Sequence, residues 1–166
     1  MLMCKNDDIE DKAYLCYLYI SETYRVFRDR LIDEKDRDRF SVMSHEIIES
    51  KLALDWDLAA FQNTIFGDFE TNEKKYIKLS PATELIPRLE ELLNKYNNDG
   101  DNQVMNLVFF EDCIQHLSRI SRILRQQRGN AMLVGVGGSG RSSMARLAAS
   151  INSMTTFSIE ITKSYR

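Results

Sequence analysis

The feature that most constrains the fold is a glycine-rich loop, GVGGSGRS, at residues 135–142. It follows a continuous apolar run, AMLVGV (131–136), and leads into SSMARLAASI (142–151), which has the composition of a helix. A short apolar run of this kind predicts a strand buried on both faces of a parallel sheet. The alternating run TFSIEI (156–161) predicts a second strand. We therefore expect a β-loop-α-β unit over residues 131–161.

The loop fits the phosphate-loop pattern G-x-x-x-x-G-K-[S/T] through Gly135, Gly140 and Ser142, with Arg141 in place of the lysine. Glycines let backbone N–H groups approach a phosphate, and the helix N-terminus adds partial positive charge. In this interpretation Arg141 faces the β- and γ-phosphates, and the Ser142 hydroxyl is a Mg²⁺ ligand. Arginine keeps the charge but is bulkier and planar, so we expect nucleotide binding more than normal hydrolysis.

Spacing alone leaves two other interpretations open. Gly135, Gly137 and Gly140 also form G-x-G-x-x-G, and Glu160 follows at the place where a dinucleotide fold keeps its ribose-binding acid. That arrangement would suit the dinucleotide-binding domain of an oxidoreductase. A structural piece whose degenerate loop binds nothing is the third interpretation. A hydroxyl directly after a basic residue, as in Arg141-Ser142, favours the phosphate loop of a nucleoside triphosphate site.

Helices are predicted over residues 10–32, 41–66 and from Val104 to about Arg128, where Gly129 is a good stop. Ser80 and Pro81 predict the start of a further helix, as N-cap and first helical residue. The expected core residues recur at helical spacing: Leu15, Leu18, Tyr19, Phe27, Leu31, Ile47, Ile48, Leu52, Leu54, Trp56, Leu107, Phe110, Ile114, Leu117, Ile120 and Leu124.

Three further patterns bear on these helices. Pro87 is expected to break or restart the helix that begins near Pro81. The charged run DEKDRDR (33–39) predicts a solvated turn or helix end, and GDFETNEKKYIKLSP (67–81) predicts irregular structure. Four arginines spaced three apart predict a solvated basic face or a contact with phosphate or an acidic partner: Arg119, Arg122, Arg125 and Arg128.

Charge and composition exclude several classes of function. A formal net charge of −3 gives no overall footprint for nucleic acid, and no apolar run is long enough to span a membrane. Cys4, Cys16 and Cys113 are too widely spaced for a disulfide framework or metal motif, so reduced thiols are expected. The segment HEIIE (45–49) lacks the second histidine of a zinc helix. No catalytic residue is assigned.

Long stretches of the chain resemble dynein heavy chains. LVFFEDCIQHLSRISRILRQQRGNAMLVGVGGSGRSSMARLAASI (107–151) resembles the opening of the fourth AAA+ module, and FSIEITKSY (157–165) continues the similarity. Upstream, YRVFRDRLIDEKDRDRF (24–40) is similar to the end of the third module's helical lid. FGDF (66–69) is similar to the segment with which the chain enters the next module in this family. The amino-acid sequence of the lid and the arginine in the loop are more similar to axonemal than to cytoplasmic heavy chains.

The resemblance implies an α/β fold with a helical lid remnant followed by an incomplete P-loop AAA+ nucleotide-binding module. It implies that residues 1–70 are the lid region of the third AAA+ module. Residues 71–166 are then the N-terminal part of the fourth. Matched position by position, the phosphate loop for ATP or ADP with Mg²⁺ comprises Gly135, Gly137, Gly138, Ser139, Gly140, Arg141 and Ser142.

The resemblance also implies the role of the whole protein. Dynein heavy chains are ATP-driven, minus-end-directed microtubule motors with a ring of six AAA+ modules. In that ring the fourth module regulates the ATP hydrolysis that the first module mainly carries out. The implied partners are the rest of the heavy-chain ring and, through the full-length protein, intermediate chains, light chains and microtubules. The implied location is the cytoplasm and cytoskeleton, in the axoneme of the cilium. The residues up to Arg166 do not reach the acidic strand that polarises water, so this chain alone is expected not to hydrolyse ATP.

Overall fold

The computed structural model describes residues 11–52, 64–100 and 102–159 and is mostly helical with one two-stranded sheet. The chain divides into two compact units, Met1–Ser80 and Pro81–Arg166. The first contains α1 (Lys12–Val26), a 3-10 helix (Arg28–Arg30), α2 (Glu34–Leu52), β1 (Phe66–Gly67) and β2 (Ile77–Lys78). The second contains α3 (Ala82–Asn97), α4 (Glu111–Leu124) and α5 (Arg141–Ile151).

Helix α1 is buried on two sides because it has two partners. Asp11 starts the helix by accepting a 2.8 Å hydrogen bond from the Ala13 amide. Its residues Cys16, Ile20 and Tyr24 pack with Ile48 of α2. Leu18, which was predicted as core, packs instead with the sheet through Phe66 and Tyr76. Two residues that were predicted as core are exposed instead, Tyr19 at 54% and Phe27 at 59%.

Helix α2 begins within the charged run that was predicted as a turn or helix end. Glu34 and Asp36 lie in its first turn, where acidic side chains favour the helix dipole. Arg37 donates through Nε to the Leu31 carbonyl at 2.8 Å, which joins the turn to the helix. Ile48 is buried as expected, whereas Ile47 is exposed. The predicted core residues Leu54 and Trp56 lie outside the described residues.

A short antiparallel ladder lies at residues 66–78, in a stretch that was mostly predicted to be irregular. Phe66 is opposite Lys78, and Gly67 is opposite Ile77. The Tyr14 ring meets Phe66 edge to face at 5.7 Å, so aromatic packing against α1 holds the pair of strands.

Helix α3 differs from its prediction at two places. Pro81 is the N-cap, whereas Ser80 donates from both its amide and its hydroxyl to the Glu70 carboxylate. Pro87 lies inside the helix and does not break it. The carbonyl that Pro87 leaves without a helical donor belongs to Thr83, in the exposed first turn, where water can satisfy it.

Helix α4 is shorter than the predicted helix from Val104 to about Arg128. Residues 103–110 are irregular, and Phe110 is exposed rather than in the core. The Asn97 side chain explains the late start, because it accepts from the Met105 amide at 3.0 Å and donates to the Met105 carbonyl at 2.9 Å. These bonds compete with helical ones. Three predicted core residues of α4 are buried as expected: Ile114, Leu117 and Ile120.

The two predicted strands beside the loop are wrong as far as the structure describes them. Residues 131–136 and 154–159 are irregular, and most of their apolar side chains are exposed. A strand needs a hydrogen-bonded neighbour, and the described ranges offer neither segment a strand partner. Glu160 and Ile161, which belong to the second predicted strand, lie outside the described residues.

Two of the three cysteines are described, and both are buried free thiols as expected. Burial raises the pKa of the Cys16 thiol and, against a weaker opposing backbone hydrogen bond from Phe110, that of Cys113. Cys4 lies outside the described residues.

The double hydrogen bond of Asn97 makes a testable contribution to the second unit. We expect Asn97→Ala to lower the free energy of unfolding by about 1–2 kcal/mol, because two backbone groups of Met105 lose their partner. Asn94→Ala, at an exposed position of the same helix, is the matched control for helix propensity. Urea unfolding followed by circular dichroism compares them, and equal effects would contradict this role of Asn97.

Candidate functional site

The backbone of the glycine-rich loop has the conformation that its glycines allow. Gly138 and Gly140 have φ of 80° and 77°, in the left-handed region that other residues avoid. The Ser139 amide donates to the Val136 carbonyl at 3.3 Å, which forms the turn. Gly140 is the N-cap of α5, and its carbonyl accepts the first helical hydrogen bond from the Met144 amide at 2.8 Å.

The loop is open on the side where a phosphate would approach. Residues 135–139 and Ser142 are exposed, and a Cβ added at Gly137 or Gly138 would meet no atom within 4 Å. No side chain caps the start of α5 at Gly140. Backbone N–H groups in the first turn of a helix lack helical partners and carry partial positive charge. The loop therefore fits an anionic, phosphate-bearing ligand.

Arg141 and Ser142 occupy the first two positions of α5 but differ in orientation. The Arg141 guanidinium folds back over the loop and donates to the Val136 carbonyl at 3.0 Å. The position predicted for its charge, facing β- and γ-phosphates, remains a prediction. Ser142 is exposed at the end of the loop, and its role as a Mg²⁺ ligand stays a prediction. Among the described residues, no group of three or more acidic, histidine or cysteine side chains could hold a metal.

Packing of α5 against α4 holds the loop in place. Leu147 and Ala148 of α5 are fully buried, as are Ile114 and Leu117 of α4. The Cys113 thiol lies 3.8 Å from the Met144 sulfur, and Asn152 donates to the Ser121 hydroxyl at 2.9 Å.

Two residues of the irregular stretch 103–110 lie beside the loop or the helix that follows it, and the sequence did not predict this neighbour. Arg146 donates to the Gln103 side chain at 2.9 Å, and Leu107 lies 4.0 Å from the point where a Cβ on Gly140 would be. The helical spacing of Leu107 and Phe110 indicated the wrong structure here, so no signal in the sequence pointed to this neighbour.

The four arginines spaced three apart along α4 and just after it are only partly exposed to solvent. Arg125 and Arg128 are exposed, whereas Arg119 and Arg122 are partly buried. Arg128 has a φ of 59° and precedes Gly129, where the chain turns back on α4. Arg125 and Arg128 lie beyond the end of the helix at Leu124, so the four arginines do not share one helical face.

The helical first unit and the loop-helix of the second match two known domains. The model of the AAA+ lid domain matches residues 1–74, and that of the P-loop containing dynein motor region D4 matches residues 105–166. Together they define an AAA+ lid followed by part of a P-loop module, which confirms the fold class expected from the sequence.

Curated relatives are similar over the whole chain. Dynein axonemal heavy chain 2 of Homo sapiens is 43% identical over 100% of this chain and 4% of its own length. Dynein axonemal heavy chain 1 of Mus musculus is 39% identical over 99% of this chain and 4% of its own length. The chain belongs to the dynein heavy-chain family and corresponds to the AAA+ lid and D4 P-loop motor region of an axonemal heavy chain.

Two consequences follow from this membership. A P-loop motor region implies nucleotide binding. The dinucleotide interpretation left open by spacing loses its support, since both matched models are AAA+ models.

Within the described residues, no helix is both long and apolar enough to cross a membrane.

Proposed function

We propose that this chain supplies the regulatory ATP- or ADP-binding site of the fourth AAA+ module in an axonemal dynein heavy chain. The observation that carries the proposal is the loop itself: Gly138 and Gly140 at positive φ lead into the start of α5, which no side chain caps. Residues 1–70 would be the lid of the third module, and residues 71–166 the first part of the fourth.

The residues of the loop fit the chemistry of a nucleoside phosphate. Backbone amides from Gly137 to Arg141 would donate to the phosphate oxygens, with Gly135 and Ser139 lining the loop. Ser142 would hold Mg²⁺ together with the phosphates, since the described residues form no carboxylate cluster of their own. Bound Mg²⁺ would neutralise phosphate charge, and this chain's part is to bind and orient.

The proposal extends to the whole protein through the relatives. The chain spans 4% of the length of these curated relatives, and we propose motor activity for the full-length protein, to which this chain contributes one part. We propose the heavy-chain ring as the direct partner. Intermediate chains, light chains and microtubules are reached only through the full-length protein, in the cytoskeleton of the ciliary axoneme. No catalytic residue is proposed here, and the 166-residue chain is expected to show no ATP turnover by itself.

Calorimetric titration with ATP, ADP and NAD tests the site. We expect ADP or ATP with Mg²⁺ to bind more tightly than NAD. Gly140→Val should weaken nucleotide binding at least about tenfold, because a β-branched residue at a φ of 77° costs about 1–2 kcal/mol or more and shifts the loop.

Gly100→Ala is the matched control, since Gly100 has no atom within 4 Å of an added Cβ and lies outside the loop. Tighter binding of NAD, weakened by Glu160→Ala, would make the dinucleotide interpretation correct. If no nucleotide binds to the chain or to a longer chain that completes the module, the loop is structural.

A further inference from the structure

The side chain of Arg141 makes an intraloop contact that the phosphate-loop pattern does not require. Its Nη2 donates to the Val136 carbonyl, five residues earlier, at 3.0 Å. Its Cδ and Nε would lie 3.4 and 3.6 Å from a Cβ at Gly135, so the stem runs across the first residue of the loop. The guanidinium therefore ties the start of α5 to the beginning of the loop.

This contact completes the hydrogen bonding of the Val136 carbonyl. The same oxygen accepts from the Ser139 amide at 3.3 Å, which gives it two donors for its two lone pairs. One donor comes from the turn and the other from the helix. The loop is thus held by its own backbone and by one charged side chain, and both converge on a single acceptor.

A phosphate in the loop would compete with this acceptor for the guanidinium. Charge-assisted hydrogen bonds to phosphate are stronger than those to a neutral carbonyl, and arginine makes them through the edge of a planar group. The contact with Val136 uses one of the five N–H groups of the guanidinium. A phosphate that attracts the charged group more strongly than this carbonyl would draw Nη2 away from it. Lysine, the residue usual at this position, is one bond shorter and has no such fork.

We propose that Arg141 is a loop clip: its guanidinium holds the loop through Val136 and exchanges that carbonyl for phosphate when nucleotide binds. Arg141 then sets the nucleotide affinity of the site by a competition within the loop, in addition to supplying charge. The exchange with phosphate rests on the proposed function. The clip itself can be measured without nucleotide.

The test is amide NMR relaxation of the 166-residue chain, with ADP and Mg²⁺ as the added probe. Arg141→Met removes the donor, and Arg141→Lys keeps the charge without reaching Val136 in the same backbone geometry. Arg146→Met is the matched control, because it removes an arginine of α5 that bonds to Gln103. Without nucleotide, both Arg141 variants should lower the order parameters of Gly137–Gly140, and the control should leave them unchanged.

With ADP added, Arg141→Lys should bind about three- to tenfold more tightly than the parent chain, which corresponds to losing one competing hydrogen bond. Unchanged loop order in both Arg141 variants would overturn the clip even if ADP binds. A large loss of affinity in Arg141→Lys would also overturn it, since the loop would then depend on the guanidinium at the phosphate. If loop order falls in both variants while no chain binds ADP, the clip stands and the proposed function fails.

Discussion

The 166-residue chain is expected to self-associate in dilute solution, and its two apolar segments beside the loop are expected to cause it. Residues 131–136 and 154–159 are irregular, with Val134 80% and Phe157 89% exposed. Exposed backbone that can pair with another chain, together with apolar side chains, promotes association. The monomer fraction measured by size-exclusion chromatography with light scattering should fall as the chain concentration rises.

The double variant Val134→Ser, Phe157→Ser should weaken this association at least about tenfold. Burying one large apolar side chain contributes roughly 1.5–3 kcal/mol, and about 1.4 kcal/mol changes an equilibrium constant tenfold. Ile32→Ser is the matched control, since Ile32 is 93% exposed but lies in the first unit. A monomer at every concentration, unfolding in one cooperative step of ordinary domain stability, would show that the chain is self-sufficient.

Gly129→Ala is expected to destabilise the second unit by about 2–3 kcal/mol, through overpacking at the end of α4. An added Cβ at Gly129 would overlap the Ile123 carbonyl oxygen and lie 3.1 Å from that of Gln126. Both neighbours are backbone atoms, which cannot move aside as a flexible side chain can. The chain from α4 towards the loop would have to follow a different path.

Urea unfolding followed by circular dichroism, with amide hydrogen exchange along α4, measures the effect. Exchange of the α4 amides should become faster, whereas amides of α1 in the first unit should be unaffected. Gly100→Ala is the control again, and it should change the stability by less than about 0.5 kcal/mol because its surroundings are open. A Gly129→Ala protein as stable as the parent would mean that this close approach does not exist in solution.

The backbone of the glycine-rich loop was more predictable than the fold around it. Gly138 and Gly140 are needed because φ is positive there, and the Ser142 hydroxyl follows at a fixed spacing. Both features can be recognised from residue types over a short stretch of sequence. The Arg141 contact with Val136 could not be predicted from the sequence, because a guanidinium can either face a phosphate or fold back on a carbonyl. Only the surrounding distances decide between these orientations.

The helices likewise have some features that could be predicted from the sequence and others that could not. Ile114, Leu117 and Ile120 were predictable as core because α4 buries one face against its neighbours. Tyr19 was predicted wrongly because it belongs to neither of the two clusters that bury α1, and Phe27 because the helix ends at Val26. Val104–Phe110 has helical spacing, yet Asn97 binds the backbone of Met105 from α3, and a contact between segments is invisible to a local pattern.

The sequence by itself determined the glycine-rich loop, the helix that follows it and the resemblance to dynein heavy chains, since each rests on residue types at short, fixed spacing. The tertiary structure decided which helix faces are buried, where α4 begins, where Arg141 points and that residues 131–136 and 154–159 do not form strands among the described residues. The physical reason is that these features depend on partners distant in the chain. A strand needs a neighbour, and a buried face needs a second surface.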